Sequence, residues 1–296
     1  MKNNVLKGSL FIALGASSFG MLATFVKMAY QEGFTTAEVT LSQFGLGFLG
    51  LLILNLFRKR NPVQETKPSG IKSNLRLMLA GTSMGLTSVF YYMSVKFIPV
   101  SVAIVLLMQT VWIGVLVEMI VHKKMPEMRK ILSVLIILVG TILATNLLKE
   151  TITINWEGFG WGILAAISYT ATMYSSNNIE INLPPQKRSL YMILGGLIVI
   201  ALIFNASLRE GFSYSILLRW GILISLFGTI LPPLLFTRGM PLTGIGLGAI
   251  IAAIEIPVTI LMAYIWLKEP VNFLQWTGVI LILSAIIVMN LEQKKN

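Results

Sequence analysis

Ten apolar stretches, each of about 20 residues, recur along this chain, and each is long enough to cross the roughly 30 Å of a bilayer's hydrocarbon as a helix. They run 8–29, 37–57, 75–95, 100–121, 129–148, 157–177, 189–207, 217–237, 243–267 and 272–291. Few folds are open to such a chain. In lipid every backbone N–H and C=O must be satisfied internally, so apolar runs of this length become helices. The expected fold is an all-α integral membrane protein of ten transmembrane helices. With 296 residues, 55% hydrophobic and 12% charged, little is left for a soluble domain. The first stretch follows only Lys2 and Lys7 and passes Thr24 without a cleavage site, which reads as a retained helix rather than a signal peptide.

A formal net charge of +11 could suggest nucleic acid, but its distribution argues for topology instead. With the N-terminus inside, the outer loops hold Lys27, Lys96, Lys149, Arg209, Arg219 and Lys268, and the other seventeen of the 23 lysines and arginines are cytoplasmic. That asymmetry is the positive-inside pattern and predicts a multi-pass protein of the cell membrane with both termini in the cytoplasm. Trp156, Trp161, Trp220, Trp266 and Trp276 fall near predicted outer span ends, as interfacial anchors do, and Trp112 falls mid-span.

The chemistry available is narrow. There is no cysteine, no aspartate and one histidine, His122, so disulfides, Cys/His zinc sites and aspartyl catalysis are excluded. No phosphate-binding P-loop, H-E-x-x-H or G-x-S-x-G motif occurs. No enzyme, cofactor or metal is expected. The partners expected are a small-molecule substrate, the lipid bilayer and protons, with no nucleic acid.

The two halves resemble each other weakly. A shift of 145 residues lays Val134–Leu143 on Val279–Val288, Lys123 on Lys268, Trp112 on Pro257 and Thr110 on Glu255. Five spans per repeat is an odd number, so the second copy must enter the membrane from the opposite side, which gives an inverted pair. The halves would be 1–148 and 149–296, joined around Leu147–Trp156 outside the cell. The longest loop, Arg58–Asn74, carries Pro62, Pro68, Ser69 and Gly70 among charges and reads as flexible.

This layout resembles the EamA-type branch of the drug/metabolite transporter superfamily over essentially the whole chain. Gly15-Ala-Ser-Ser-Phe19 followed by Lys27 is similar to a family Trp-Gly-Ser-x-Phe…Lys pattern, with Leu14 in place of the tryptophan. Pro257, then Leu267-Lys-Glu-Pro270 and Gly278, is similar to the family's Pro…Leu-Gly-Glu…Gly pattern. The first half departs from it, with Trp112 for the proline and Lys124 for the glutamate. The resemblance implies secondary export of small metabolites.

The residue that most suggests a mechanism is Glu255, near the middle of the ninth stretch and two positions before Pro257. A charge at that depth costs about 2.5–3.5 kcal/mol on insertion scales, so it is expected to face the bundle interior. Gly248, Ala252, Thr259 and Ala263 share its face. Two readings are open: a carboxylate for proton coupling or substrate amines, and a structural pin bonded to a neighbouring helix. Gln109 and Thr110 lie at the equivalent depth of the fourth stretch, beside Trp112, as a polar handle against an aromatic wall or as packing. Ser17, Thr24 and Lys27 form a stripe on the first helix, with Lys27 snorkelling outward or guarding a cavity mouth. Ser168, Tyr169 and Thr172 on the sixth helix, and Ser88 with Tyr92 or Tyr91 on the third, are further candidate cavity residues. Gly81-x-x-x-Gly85 and Gly244-x-x-x-Gly248 read as packing surfaces. Pro232-Pro233, like Pro257, is a candidate hinge, and Glu118 is expected to reach water. Two functions are open, a metabolite exporter for amino acids or their relatives and a multidrug exporter of lipophilic cations.

Overall fold

The computed structural model describes residues 2–57, 70–147, 155–209 and 211–291, and among these residues it is helical without strands. The first half comprises α1 (Lys2–Gln31), α2 (Thr36–Leu56), α3 (Ile71–Phe97), α4 (Val100–Leu107), α5 (Thr110–His122) and α6 (Met128–Ala144). The second comprises α7 (Trp156–Asn178), α8 (Pro185–Ile203), the short α9 (Asn205–Arg209), α10 (Ile222–Ser225), α11 (Leu231–Thr243), α12 (Ile245–Ala252), α13 (Glu255–Trp266) and α14 (Phe273–Leu291). By length and composition, six of the helical segments can cross a membrane. Most of the loop expected over Arg58–Asn74, and most of the join around Leu147–Trp156, lie outside the described residues.

Local chemistry sets several boundaries. Thr35 and Glu38 form a capping box at the start of α2, with Thr35 N–H donating to Glu38 Oε2 at 2.7 Å and Glu38 N–H to Thr35 Oγ1 at 3.3 Å. The other oxygen of Glu38 accepts from Ser213 N–H at 2.8 Å and ties this end to the loop before the π-helical turn at Leu217–Gly221. Asn155 caps α7 through Gly158 N–H at 3.0 Å.

The fourth and ninth apolar stretches are each broken in the middle, not continuous. The breaks correspond: α4 shifted by 145 residues covers 245–252, the extent of α12, and the first residue of α5, Thr110, falls on the first residue of α13, Glu255. The helices end alike too, since Lys123 (φ 51°) and Lys268 (φ 57°) both turn left-handed just past α5 and α13. Pro257 explains the second break. It has no N–H for the carbonyl of Ala253, and Ile256 N–H takes that carbonyl in a tight turn at 3.2 Å. The first break has the same tight turn without a proline, with Val111 N–H donating to Met108 O at 3.0 Å. There Gln109 N–H has moved to Leu106 O, and the Gln109 side-chain amide donates to the freed Val105 carbonyl at 2.9 Å.

Pro232-Pro233 does not end its helix. The prolines occupy the first turn of α11, directly after a π-helical turn at Leu226–Ile230, and the widened turn accommodates the missing donors. Glycines allow the closest approaches. A methyl group at Gly81 or Gly195 would run into the backbone of Met192 or Met78 across the α3–α8 seam, as the packing reading of Gly81-x-x-x-Gly85 expects.

Contacts along these seams give the helix directions. α1 runs antiparallel to α11, with Gly8 against Leu242 and Gly15 against Phe236, and parallel to α12–α13, with Gly20 against Val258. α3 and α7 are antiparallel, since Ser94 donates to Gly158 O at 2.8 Å and Ser168 to Ser83 O at 2.9 Å. Arg188, where α7 gives way to α8, bonds Ser176 O at the end of α7 and Thr237 O near the end of α11, so α7 ends at the face where α1 begins. At the face where α1 begins, α5 lies against α12, with Gly114 on Ala249. The equivalent pair at the opposite face, α4 and α13, does not close in this way: α4 lies on α7 and α13 on α1.

Candidate functional site

The break in the ninth stretch sets Glu255 at the first position of α13, beside the tight turn that Pro257 imposes. Its backbone carbonyl abuts Gly20 of α1, which has no side chain to hold the helices apart. Thr259 Oγ1 donates to that same carbonyl at 2.9 Å and lies 3.3 Å from Gly20 O. The carboxylate accepts from the hydroxyl of buried Tyr169 at 3.4 Å. Phe19 meets Tyr169 edge to face with ring centroids 6.2 Å apart. The Glu255 residue itself stays partly exposed at the centre of the bundle. It is neither sealed among packed side chains nor on the outer surface of α13, where Leu261, Tyr264, Ile265 and Trp266 are exposed.

Phenols continue from this point toward the face where α1 ends. Tyr91 and Tyr92 have ring centroids 6.0 Å apart, and Tyr92 meets Tyr30 at 6.4 Å. Tyr30 in turn lines a cavity of about 690 Å³ with Glu38, Lys96 and Phe212. A half-open acid, a bonded tyrosine and a series of phenols leading to a cavity could bind a polar group and exchange a proton with it.

The other candidates divide. Thr110 is buried, and its hydroxyl meets that of Thr170 at 2.7 Å, one residue along α7 from Tyr169. The second half-helices of the two broken pairs are thus pinned to adjacent residues of α7, α5 to Thr170 and α13 to Tyr169. Gln109 and Trp112 are turned to each other and to their own helix. The indole N–H donates to Gln109 Oε1 at 2.8 Å, and Trp112 lies on an exposed stripe with Leu116 and Ile120. The expected polar handle serves instead as the cap of the first helix break.

Ser168 and Thr172 hold α7 to α3: the Ser83 and Thr172 hydroxyls are 2.7 Å apart, and Ser168 donates to Ser83 O. This stripe is a hydrogen-bonded seam and not a cavity wall. Ser88 bonds back to Met84 O at 3.5 Å, Ser17 is partly buried, and Thr24 is buried. Lys27 forms an ion pair with Glu269, both half exposed, and does not reach Glu255. Glu118, expected to meet water, pairs with Lys130 at 2.6 Å, both side chains under a fifth exposed, against Gly244 just before α12 and Gly246 within it. The seam of α5 on α12 leaves Glu118 only partly solvated and gives it Lys130 as its main partner.

Arg188, by its position in the sequence, falls among the cytoplasmic cations just before the seventh stretch, and that position gives no sign of burial. It is 1% exposed in the first turn of α8, with its guanidinium on the carbonyls of Ile179, Ser176 and Thr237. A proline pair just before it, which starts the helix early, was the available signal.

Helices long and apolar enough to cross a membrane, arranged in two corresponding halves, describe an integral membrane protein. The chain belongs to the EamA-like transporter family, whose model matches residues 6–146 and again 156–291. Members of this family are transporters and not enzymes. A crystal structure of a protein at 13% identity is similar in fold, with a TM-score of 0.77 over 99% of each chain. No curated protein matches the chain by sequence.

Proposed function

We propose that this chain is a ten-span secondary transporter of the cell membrane, built as two inverted five-helix repeats with both termini in the cytoplasm. It carries small polar or amphiphilic metabolites, amino acids and their relatives first among them, outward by alternating access. Glu255 is the coupling group and exchanges a proton against the substrate.

The observation that carries this reading is the placement of Glu255: first residue of a half-helix, partly open, bonded by Tyr169 and set between the two halves. Corresponding breaks 145 residues apart support the inverted repeat, since broken helices at the midplane are where transporters of this build bind substrate. Closure at one face by α5 on α12, without its counterpart α4 on α13, supports an outward-facing state. A second reading, a drug exporter, draws on Phe19, Tyr169 and Tyr91 around the acid, which suit a lipophilic cation.

Flux into proteoliposomes with and without a pH gradient, for amino acids and for lipophilic cations, tests both. Metabolite flux driven by the gradient and lost in Glu255→Gln supports the first reading. Gradient-driven flux of the cations alone supports the second, and gradient-independent flux in the unaltered protein removes proton coupling.

A further inference from the structure

A second cavity of about 480 Å³ opens between α1, α8 and α11, at the face where α1 begins and far from Glu255. Three cations line it, Lys7 from α1, Arg188 from α8 and Arg238 from α11, and no carboxylate does. Arg188 is the anchor. Its four hydrogen bonds all go to backbone carbonyls, so it keeps a full positive charge inside the protein and one N–H of Nη1 without a partner among the described residues. The nearest acid in sequence, Glu180, acts on Arg188 through its charge without bonding to it, and pairs with Arg76 at 3.5 Å. Lys7 lies over the Phe11 ring at 5.9 Å, and neither Lys7 nor Arg238 has an ion pair among the described residues.

A buried cation with two more beside it and no carboxylate in contact leaves an excess of positive charge that an anion would relieve. Size and shape narrow the class. The cavity has room for a phosphate ester, and an apolar wall of Phe11, Pro241 and Leu242 adjoins its charged floor. Leu10 and Leu14 lie exposed farther along α1, where a hydrocarbon chain would run. Basic pockets between membrane helices are suited to acidic headgroups.

We propose that this cavity is a phosphate-binding site that holds the headgroup of an anionic lipid against α1, α8 and α11. Because α1 and α11 also pack on each other and α1 on α13, the bound lipid would brace the helices that frame Glu255.

Native mass spectrometry of the detergent-purified protein, with phosphatidylglycerol and phosphatidylcholine of the same acyl chains, tests it. The result expected is preferential phosphatidylglycerol adducts. These should weaken about 25-fold in the double variant Lys7→Gln/Arg238→Gln, at about fivefold per cation. A control double variant, Lys123→Gln/Lys124→Gln, removes the same charge elsewhere and should leave the preference unchanged. Inorganic phosphate as competitor distinguishes the sources: displacement assigns the phosphate group alone as sufficient, and its absence with the preference intact assigns the whole lipid. Equal adducts with both lipids, an unchanged preference in the first double variant, or an equal loss in the control would overturn the proposal.

Discussion

Thr110 and Glu255 stand 145 residues apart at the first position of two matching half-helices, and neighbouring residues of α7, Thr170 and Tyr169, bond to them. One half of the molecule thus places a hydroxyl where the other places an acid. The hydroxyl is buried and bonded at 2.7 Å, whereas the acid is held at 3.4 Å and left partly open. Function is expected to follow the looser of the two.

Replacing Glu255 by Gln preserves shape and removes the ionisable group. Coupled flux should fall to background while thermal unfolding shifts little, since an amide still accepts from Tyr169. Tyr169→Phe should be milder, lowering flux severalfold without abolishing it. Proteoliposome assays at two pH values check both, and a pH-dependent flux surviving in Glu255→Gln would refute the assignment.

Gln109→Leu distinguishes a helix cap from a substrate handle. Loss of the bond to Val105 O should cost about 1 kcal/mol of stability and leave apparent substrate affinity unchanged. Unfolding midpoints and KM, measured together, decide: a raised KM at unchanged stability would restore the handle.

The Glu118–Lys130 pair seals the face where α5 meets α12. Lys130→Met strands an acid among glycines and should destabilise by about 1–3 kcal/mol, less than a fully buried pair because both side chains keep some solvent. Adding Glu118→Gln should recover most of that loss. A double-mutant cycle in thermal unfolding measures the coupling, and additive single effects would show that no such pair acts.

Gly81→Ala should be costly, by about 1–3 kcal/mol or more, because the added carbon meets the Met192 backbone, which cannot step aside. Gly160→Ala, where nothing lies within contact, should be neutral or slightly stabilising. Expression level and melting temperature compared between the two variants test whether the α3–α8 seam depends on glycine.

The sequence by itself determined the helical membrane character and the division into two corresponding halves. These follow from segment length and from the repeat of the apolar pattern at 145 residues, neither of which depends on which helix lies opposite. Tertiary structure decided the rest. Whether Ser168 lines a cavity or bonds to Ser83, and whether Glu118 meets water or Lys130, depends on which helix lies opposite, and periodicity cannot supply that. The broken fourth helix is the clearest case. Its proline is missing, and the break is capped by the side chain of Gln109, a role that appears only once the backbone has turned.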